Sequence, residues 1–304
     1  MGLSTSLGNL GFLEGAIVMK NMKKLTRGLV IAMMLVTGLC KGMNTVKSKK
    51  EVSAHDFEQH TKGASIDLTS ASDQQSPVMI NTKDPTKVIE VNLRDIIFNY
   101  TSKNFAVINT GHSTELKPLH EAGESAKPDY IPDHIIVDEI PYNLAQFHFH
   151  TPSEHTIDGK PPYPMEVHFV HTNETIDSVG NPTLHYAVIG VFIEIGAPNP
   201  EFEKIISKIP KTPDPAVAVP LGQTLDLTKL FPKDHRVFRY SGSLTTEPYT
   251  TGVRWLIMKK LIQLSLDQVN RIQTIMGSHV RALQELKVPV VSDVAIDKSN
   301  VLQP

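Results

Sequence analysis

The sequence predicts a mainly β (α+β) fold: a single β-rich domain over residues 71–292 with peripheral helices. Two observations carry this. From Gln74 onward the chain is a series of short β-branched runs broken by Pro, Gly, Asn and Asp, and few segments repeat apolar residues at helical spacing. The composition is ordinarily globular, with 40% hydrophobic and 20% charged residues.

Taken in order, residues 1–42 read as an N-terminal extension with a signal-like segment. Lys20, Lys23, Lys24 and Arg27 precede the apolar run Leu29–Val36, the pattern of a secretory signal starting effectively at Met19. The run is far shorter than the ~20 residues a spanning helix needs, so no stable membrane span is expected. Export to the periplasm or the exterior is. Residues 43–70 are polar and read as a linker or arm. The strands begin with Lys87–Leu93 and Asn104–His112 and continue with Met165–His171 and Leu184–Ile195. The last is apolar almost throughout, as a strand buried on both faces would be.

Two helices are predicted. One has Asn199 as N-cap, Pro200 at its first position and Phe202, Ile205, Ile206 and Ile209 on one face, ahead of Pro210. The other opens with Ser265 and Gln268 as a capping box and carries Val269, Ile272 and Met276. Residues 293–304 are left as a C-terminal tail.

The formal net charge of −2 gives no reason to expect nucleic acid or an anionic membrane surface as partner. Cys40 is the only cysteine, which rules out an intrachain disulfide and a cysteine-based zinc site. A transition metal here must be held by His, Asp or Glu.

The stretch Gln146–His155, QFHFHTPSEH, carries such residues. On a strand, Phe147 and Phe149 point one way and Gln146, His148 and His150 the other. In the next strand, PMEVHFVH, Glu166, His168 and Val170 share a face, and the turn-rich DGKPPYP between them permits antiparallel pairing. His148, His150 and His168 then converge. Three neutral imidazoles with one open position are the pattern of a catalytic zinc site. Gln146 and Glu166 can accept the outward N–H groups of such ligands and set their tautomers. His155 and His171, in the same motifs, read as buried hydrogen-bonding histidines.

QFHFHTPSEH, MEVHFVH, HYAVIGVF and YSGSLTTEP, with QQSPVMI and NTGH upstream, together closely resemble the α-class carbonic anhydrases of the bacterial, exported type. The motifs run in family order from Gln74 to Gln284. The resemblance implies a twisted, largely antiparallel central sheet of about ten strands, with zinc at the floor of a conical cleft. It implies reversible hydration of carbon dioxide to bicarbonate, with zinc on His148, His150 and His168 and with Gln146 and Glu166 behind them. By the same likeness Thr245 is the threonine that accepts a hydrogen bond from zinc-bound hydroxide, and Glu154 the carboxylate that takes the threonine's proton. His112 is the histidine that shuttles protons to solvent. Val170, Val188, Leu244, Val253 and Trp255, with Thr245 and Thr246, form the substrate wall. The partner implied is a small molecule, and a homodimer is left open. A different class of reading is a non-catalytic, carbonic-anhydrase-like binding or adhesion module, which typically loses one or more ligand histidines; all three are present here.

Three features depart from the family pattern. The segment before QSP lacks the usual Trp and Tyr, Trp255 being the only tryptophan. The disulfide common in secreted members cannot form. The usual NxRPxQ near the C-terminus is HVRALQ, His279–Gln284. None of these touches a predicted ligand.

Overall fold

Among the described residues, thirteen strands hydrogen-bond into one mixed sheet, and two more form a separate pair. The computed structural model describes residues 73–91, 96–101, 103–119 and 132–294. The signal-like extension, the polar arm and the tail beyond residue 294 lie outside the described residues.

In chain order the strands begin with β1 (Met79–Ile80), β2 (Val88–Val91), β3 (Ile97–Asn99), β4 (Phe105–Asn109), β5 (Thr114–Pro118), β6 (His134–Val137), β7 (Ile140–His150) and β8 (Thr156–Ile157). They continue with β9 (Met165–Ile176), β10 (Pro182–Ile195), β11 (Val219–Pro220), β12 (Val237–Ser243), β13 (Thr251–Met258), β14 (Ile262–Leu264) and β15 (Val290–Asp293). The sheet runs β11-β4-β5-β7-β9-β10-β13-β12-β15-β2, with β6 joined to β7, β3 to β6 and β14 to β10. Most neighbours are antiparallel, but β10 runs parallel to β13 and β14, and β15 to β2.

The four predicted strands all form, and the two that matter most grow. β9 continues past His171 to Ile176, and β10 starts two residues early at Pro182, because the whole of β9 pairs with Pro182–Ile193 of β10. The alternation in these strands divides the interior into two layers. Phe147 and Phe149 of β7, Val167 and Phe169 of β9, and Ile189 and Val191 of β10 pack into one core cluster. Val170, Val188, Phe192, Trp255 and Ile257 belong to a second. Burying each of these large side chains stabilises the fold by ~1.5–3 kcal/mol.

Helix α1 (Pro200–Ile206) and helix α2 (Leu266–Met276) cover the first layer with Phe202, Ile205, Ile206, Val269, Ile272 and Met276. Their caps are those read from the sequence. Asn199 Oδ1 accepts the Glu201 N–H at 3.0 Å, and Ser265 and Gln268 exchange capping-box bonds at 3.2 Å. The Gln268 amide also accepts the Asn199 N–H and donates to the Asn199 carbonyl, which ties the two helix starts together. α1 stops at Ile206, before Pro210, yet Ile209 remains buried in the same core.

The last strand, β15, runs to Asp293. Asp293 is buried in β15, where its carboxylate pairs with Arg239 at 3.1 Å.

Candidate metal centre

β7 and β9 are antiparallel neighbours in the register that sets His148 opposite His168 and Phe147 opposite Phe169. The phenylalanines take the helix-covered face and the histidines the other. The ring centroids of His148, His150 and His168 lie 4.5–5.3 Å apart. One nitrogen from each comes within 4.8 Å of the other two.

Hydrogen bonds decide which nitrogens these are. His148 Nδ1 lies 2.9 Å from Gln146 Oε1, and His150 Nδ1 lies 3.3 Å from the backbone carbonyl of His279. Both partners only accept, so both Nδ1 atoms carry the proton and both Nε2 atoms are bare. Yet the two Nε2 atoms face each other at 3.0 Å. Lone pairs at that distance repel unless a cation lies against both. Zinc–nitrogen bonds of ~2.0–2.1 Å span a tetrahedral edge of roughly 3.3 Å, so the pair fits zinc.

His168 completes the set. Its Nε2 lies 3.0 Å from Glu166 Oε1, off the line of a good hydrogen bond, and an anionic oxygen there favours the proton on Nε2 and a bare Nδ1. The Glu166 carboxylate is fully buried and held on every side. Oε2 accepts the backbone N–H groups of Glu154 and His155, each at 2.9 Å, and Oε1 lies 2.9 Å from His155 Nδ1. His155 Nε2 in turn lies 2.7 Å from the Tyr240 hydroxyl, which meets Ser76 Oγ at 2.8 Å.

The electrostatics suit neutral ligands. Burial, with the neighbouring imidazoles adding to it, pushes His148 well below the ordinary histidine value and His150 down to about 4. Burial pushes Glu166 upward, but His155 and His168 outweigh it and hold the carboxyl well below the usual range.

Glu154 lies beside the imidazoles, with Oε2 3.4 Å from His150 Nε2. Its Oε1 accepts the backbone N–H of Arg281 at 2.9 Å, while Oε2 accepts no hydrogen bond from any described residue. Thr245 is buried on the wall of the adjoining cavity. That cavity, of about 310 Å³, is bordered by Gln146, His148 and His168 on one side. Val170, Val188, Leu244, Thr246 and Trp255 form the rest of the predicted wall. Val253 does not reach it: the residue is fully buried in the core layer with Tyr240 and Trp255. Trp255 is braced by its Nε1–H, which donates to the Ser243 carbonyl at 2.9 Å, and its ring lies 4.8 Å from that of His168.

His112 is exposed in the turn after β4, where Thr110 Oγ1 accepts the N–H groups of His112 and Ser113. Gly111, at φ +88°, allows that turn. The His112 ring packs edge-on against that of His279, centroids 5.1 Å apart. His155 and His171 are fully buried and hydrogen-bonded, as expected.

A family model described as eukaryotic-type carbonic anhydrase matches residues 60–292. The chain belongs to the carbonic anhydrase family.

Other carbonic anhydrases agree with it along most of their length. That of Neisseria gonorrhoeae is 34% identical over 225 residues, 74% of this chain and 79% of that protein. Mitochondrial carbonic anhydrase 5B of Mus musculus is 32% identical over 222 residues, 69% of this chain and 67% of that protein. Among solved structures, the α-carbonic anhydrase of Thermovibrio ammonificans in complex with sulfanilamide has 35% identity and a TM-score of 0.60. It covers 72% of this chain and 86% of that one. The large mixed sheet flanked by two helices is thus a carbonic anhydrase fold, and the three histidines occupy its middle strands.

The expectation that the HVRALQ departure touches no predicted ligand is corrected: the His279 carbonyl backs His150 at 3.3 Å, and the Arg281 N–H backs Glu154, both through main-chain groups. Every residue carries such groups, so no side-chain letter marks them.

Proposed function

We propose that this chain catalyses the reversible hydration of carbon dioxide to bicarbonate and a proton, with zinc held by His148, His150 and His168. The observation that carries the reading is the pair of bare Nε2 atoms at 3.0 Å, their protons held elsewhere by Gln146 and His279. When bound, zinc supplies the Lewis acidity that lets water ionise near neutral pH.

The protein's own residues do the rest. Gln146, Glu166 and the His279 carbonyl hold the three imidazoles in one tautomer and orientation. Glu154, fixed through Oε1, keeps Oε2 open to accept the Thr245 hydroxyl proton. A hydroxyl committed to that carboxylate can only accept on its other side, so Thr245 selects a reacting group that has a proton to donate. Val170, Val188, Leu244 and Trp255 give carbon dioxide, which is apolar, a place that needs no hydrogen-bond donor. His112, at the exposed turn, takes the released proton and passes it to buffer, as imidazoles do near neutral pH.

Stopped-flow assay of carbon dioxide hydration on the zinc-loaded, the chelator-stripped and the zinc-restored protein tests this. Activity should vanish on stripping and return with zinc. A protein with one zinc per chain and no hydration activity would sink the proposal.

The reading extends to export, which rests on the basic segment and the apolar run Leu29–Val36. N-terminal sequencing of the protein from its native host should find the first ~40 residues removed. An intact Met1 or Met19 on cytoplasmic protein would overturn it.

A further inference from the structure

Gly190 interrupts the apolar run of β10 at its middle, between β9 and β13 and directly opposite His168. A glycine inside a central strand weakens it, and its presence there often marks a close approach. Its backbone is not in the left-handed region, so conformation is not the reason. Space is. A Cβ at position 190 would lie 2.8 Å from Glu166 Oε1 and 2.7 Å from Ile257 Cδ1, closer than real Cβ contacts come.

The carboxylate has nowhere to retreat. Its Oε2 is held by two backbone N–H groups at 2.9 Å, and its Oε1 lies 2.9 Å from His155 Nδ1 and 3.0 Å from His168 Nε2. Moving it turns His168 and shifts the backbone of Glu154. Such a displacement acts on one ligand and on the carboxylate beside another.

We propose that Gly190 is a positioning residue for the metal centre: the Glu166 carboxylate occupies the space a side chain at 190 would take, and this sets the orientation of His168. The inference rests on the zinc reading of the three histidines.

Gly190→Ala alone mixes the carboxylate clash with an apolar one. Ile257→Val removes Cδ1 and with it the apolar clash, so the comparison is made in that background. Zinc affinity, measured by competition with a chromophoric chelator, should fall about tenfold or more on adding Gly190→Ala, the scale of lost outer support at zinc sites. With Glu166→Ala also present, Gly190→Ala should change affinity by less than about twofold. If the Gly190→Ala, Ile257→Val chain fails to fold, recovery of folding by Glu166→Ala supports the assignment, and no recovery overturns it. Unchanged zinc affinity, or an equal loss with and without Glu166, also overturns it while leaving the zinc reading intact. A wild-type chain that binds no zinc overturns both.

Discussion

His148 and His150 turn their Nε2 atoms toward each other at 3.0 Å while each ring keeps its proton on Nδ1. Two neutral imidazoles in that relation are arranged for a shared cation. One zinc per chain is therefore expected, and His150→Ala or His168→Ala should abolish or greatly weaken its binding. Metal analysis that finds full zinc in either variant removes these residues from the ligand set. Glu166→Ala should be milder, at ~10–100-fold in affinity or activity, because the carboxylate orients a ligand without being one.

Thr245→Ala should retain zinc and lose ~10²–10³ in kcat, the usual effect of removing one preorganised polar contact. Glu154→Gln should behave alike, since an amide NH2 can donate to the threonine and reverse the direction of the bond. Zinc analysis beside steady-state kinetics separates the gate from the metal. Wild-type kinetics in both variants would dismiss the Thr245–Glu154 relay.

His112→Ala should slow turnover in dilute buffer and leave kcat/KM nearly unchanged, because only the export of the proton passes through the imidazole. Imidazole added as buffer should restore much of the loss. Unchanged turnover in dilute buffer would mean that protons leave by another route.

His171 predicts acid sensitivity of the fold. It is fully buried, with Nε2 2.7 Å from the Tyr100 hydroxyl and Nδ1 3.3 Å from the Ala187 carbonyl, and burial lowers it from 6.5 to about 3. The unfolded chain thus binds this proton more readily than the folded one. Stability from His171 is intact above pH 6.5 and is lost as pH falls from there toward 3, by on the order of a few kcal/mol. His171→Gln should be less stable than wild type at pH 7.5 but lose less between pH 7.5 and 4.5, read from urea midpoints. Equal losses would exclude His171 as a source of the slope.

Much of the site was legible because strand alternation is strict. Phe147 and Phe149 had to oppose His148 and His150, and Glu166, His168 and Val170 had to share a face, wherever the strands lay. The wall was less legible. Val170 and Val188 line the cavity, whereas Val253, equally apolar and in the same core layer, does not. A hydrophobic letter does not say how deep its strand will run. The caps Asn199 and Ser265 were readable because a cap bonds only to its own next turn, but the Gln268 link between the two helix starts was not.

By itself the sequence determined the element types, the face each side chain takes, the identity of the three imidazoles and the family. Those depend on periodicity within a few residues and on the chemistry of single side chains. Tertiary structure alone decided the parallel pairing of β10 with β13, which brings Ile257 and Trp255 beside Gly190 and Val188. It also placed the His279 carbonyl behind His150, from 129 residues away, and the Arg281 N–H behind Glu154, from 127. These are contacts between distant parts of the chain, made by backbone groups common to all residues or by the bare space of a glycine. Only the folded arrangement of layers selects which of them meet.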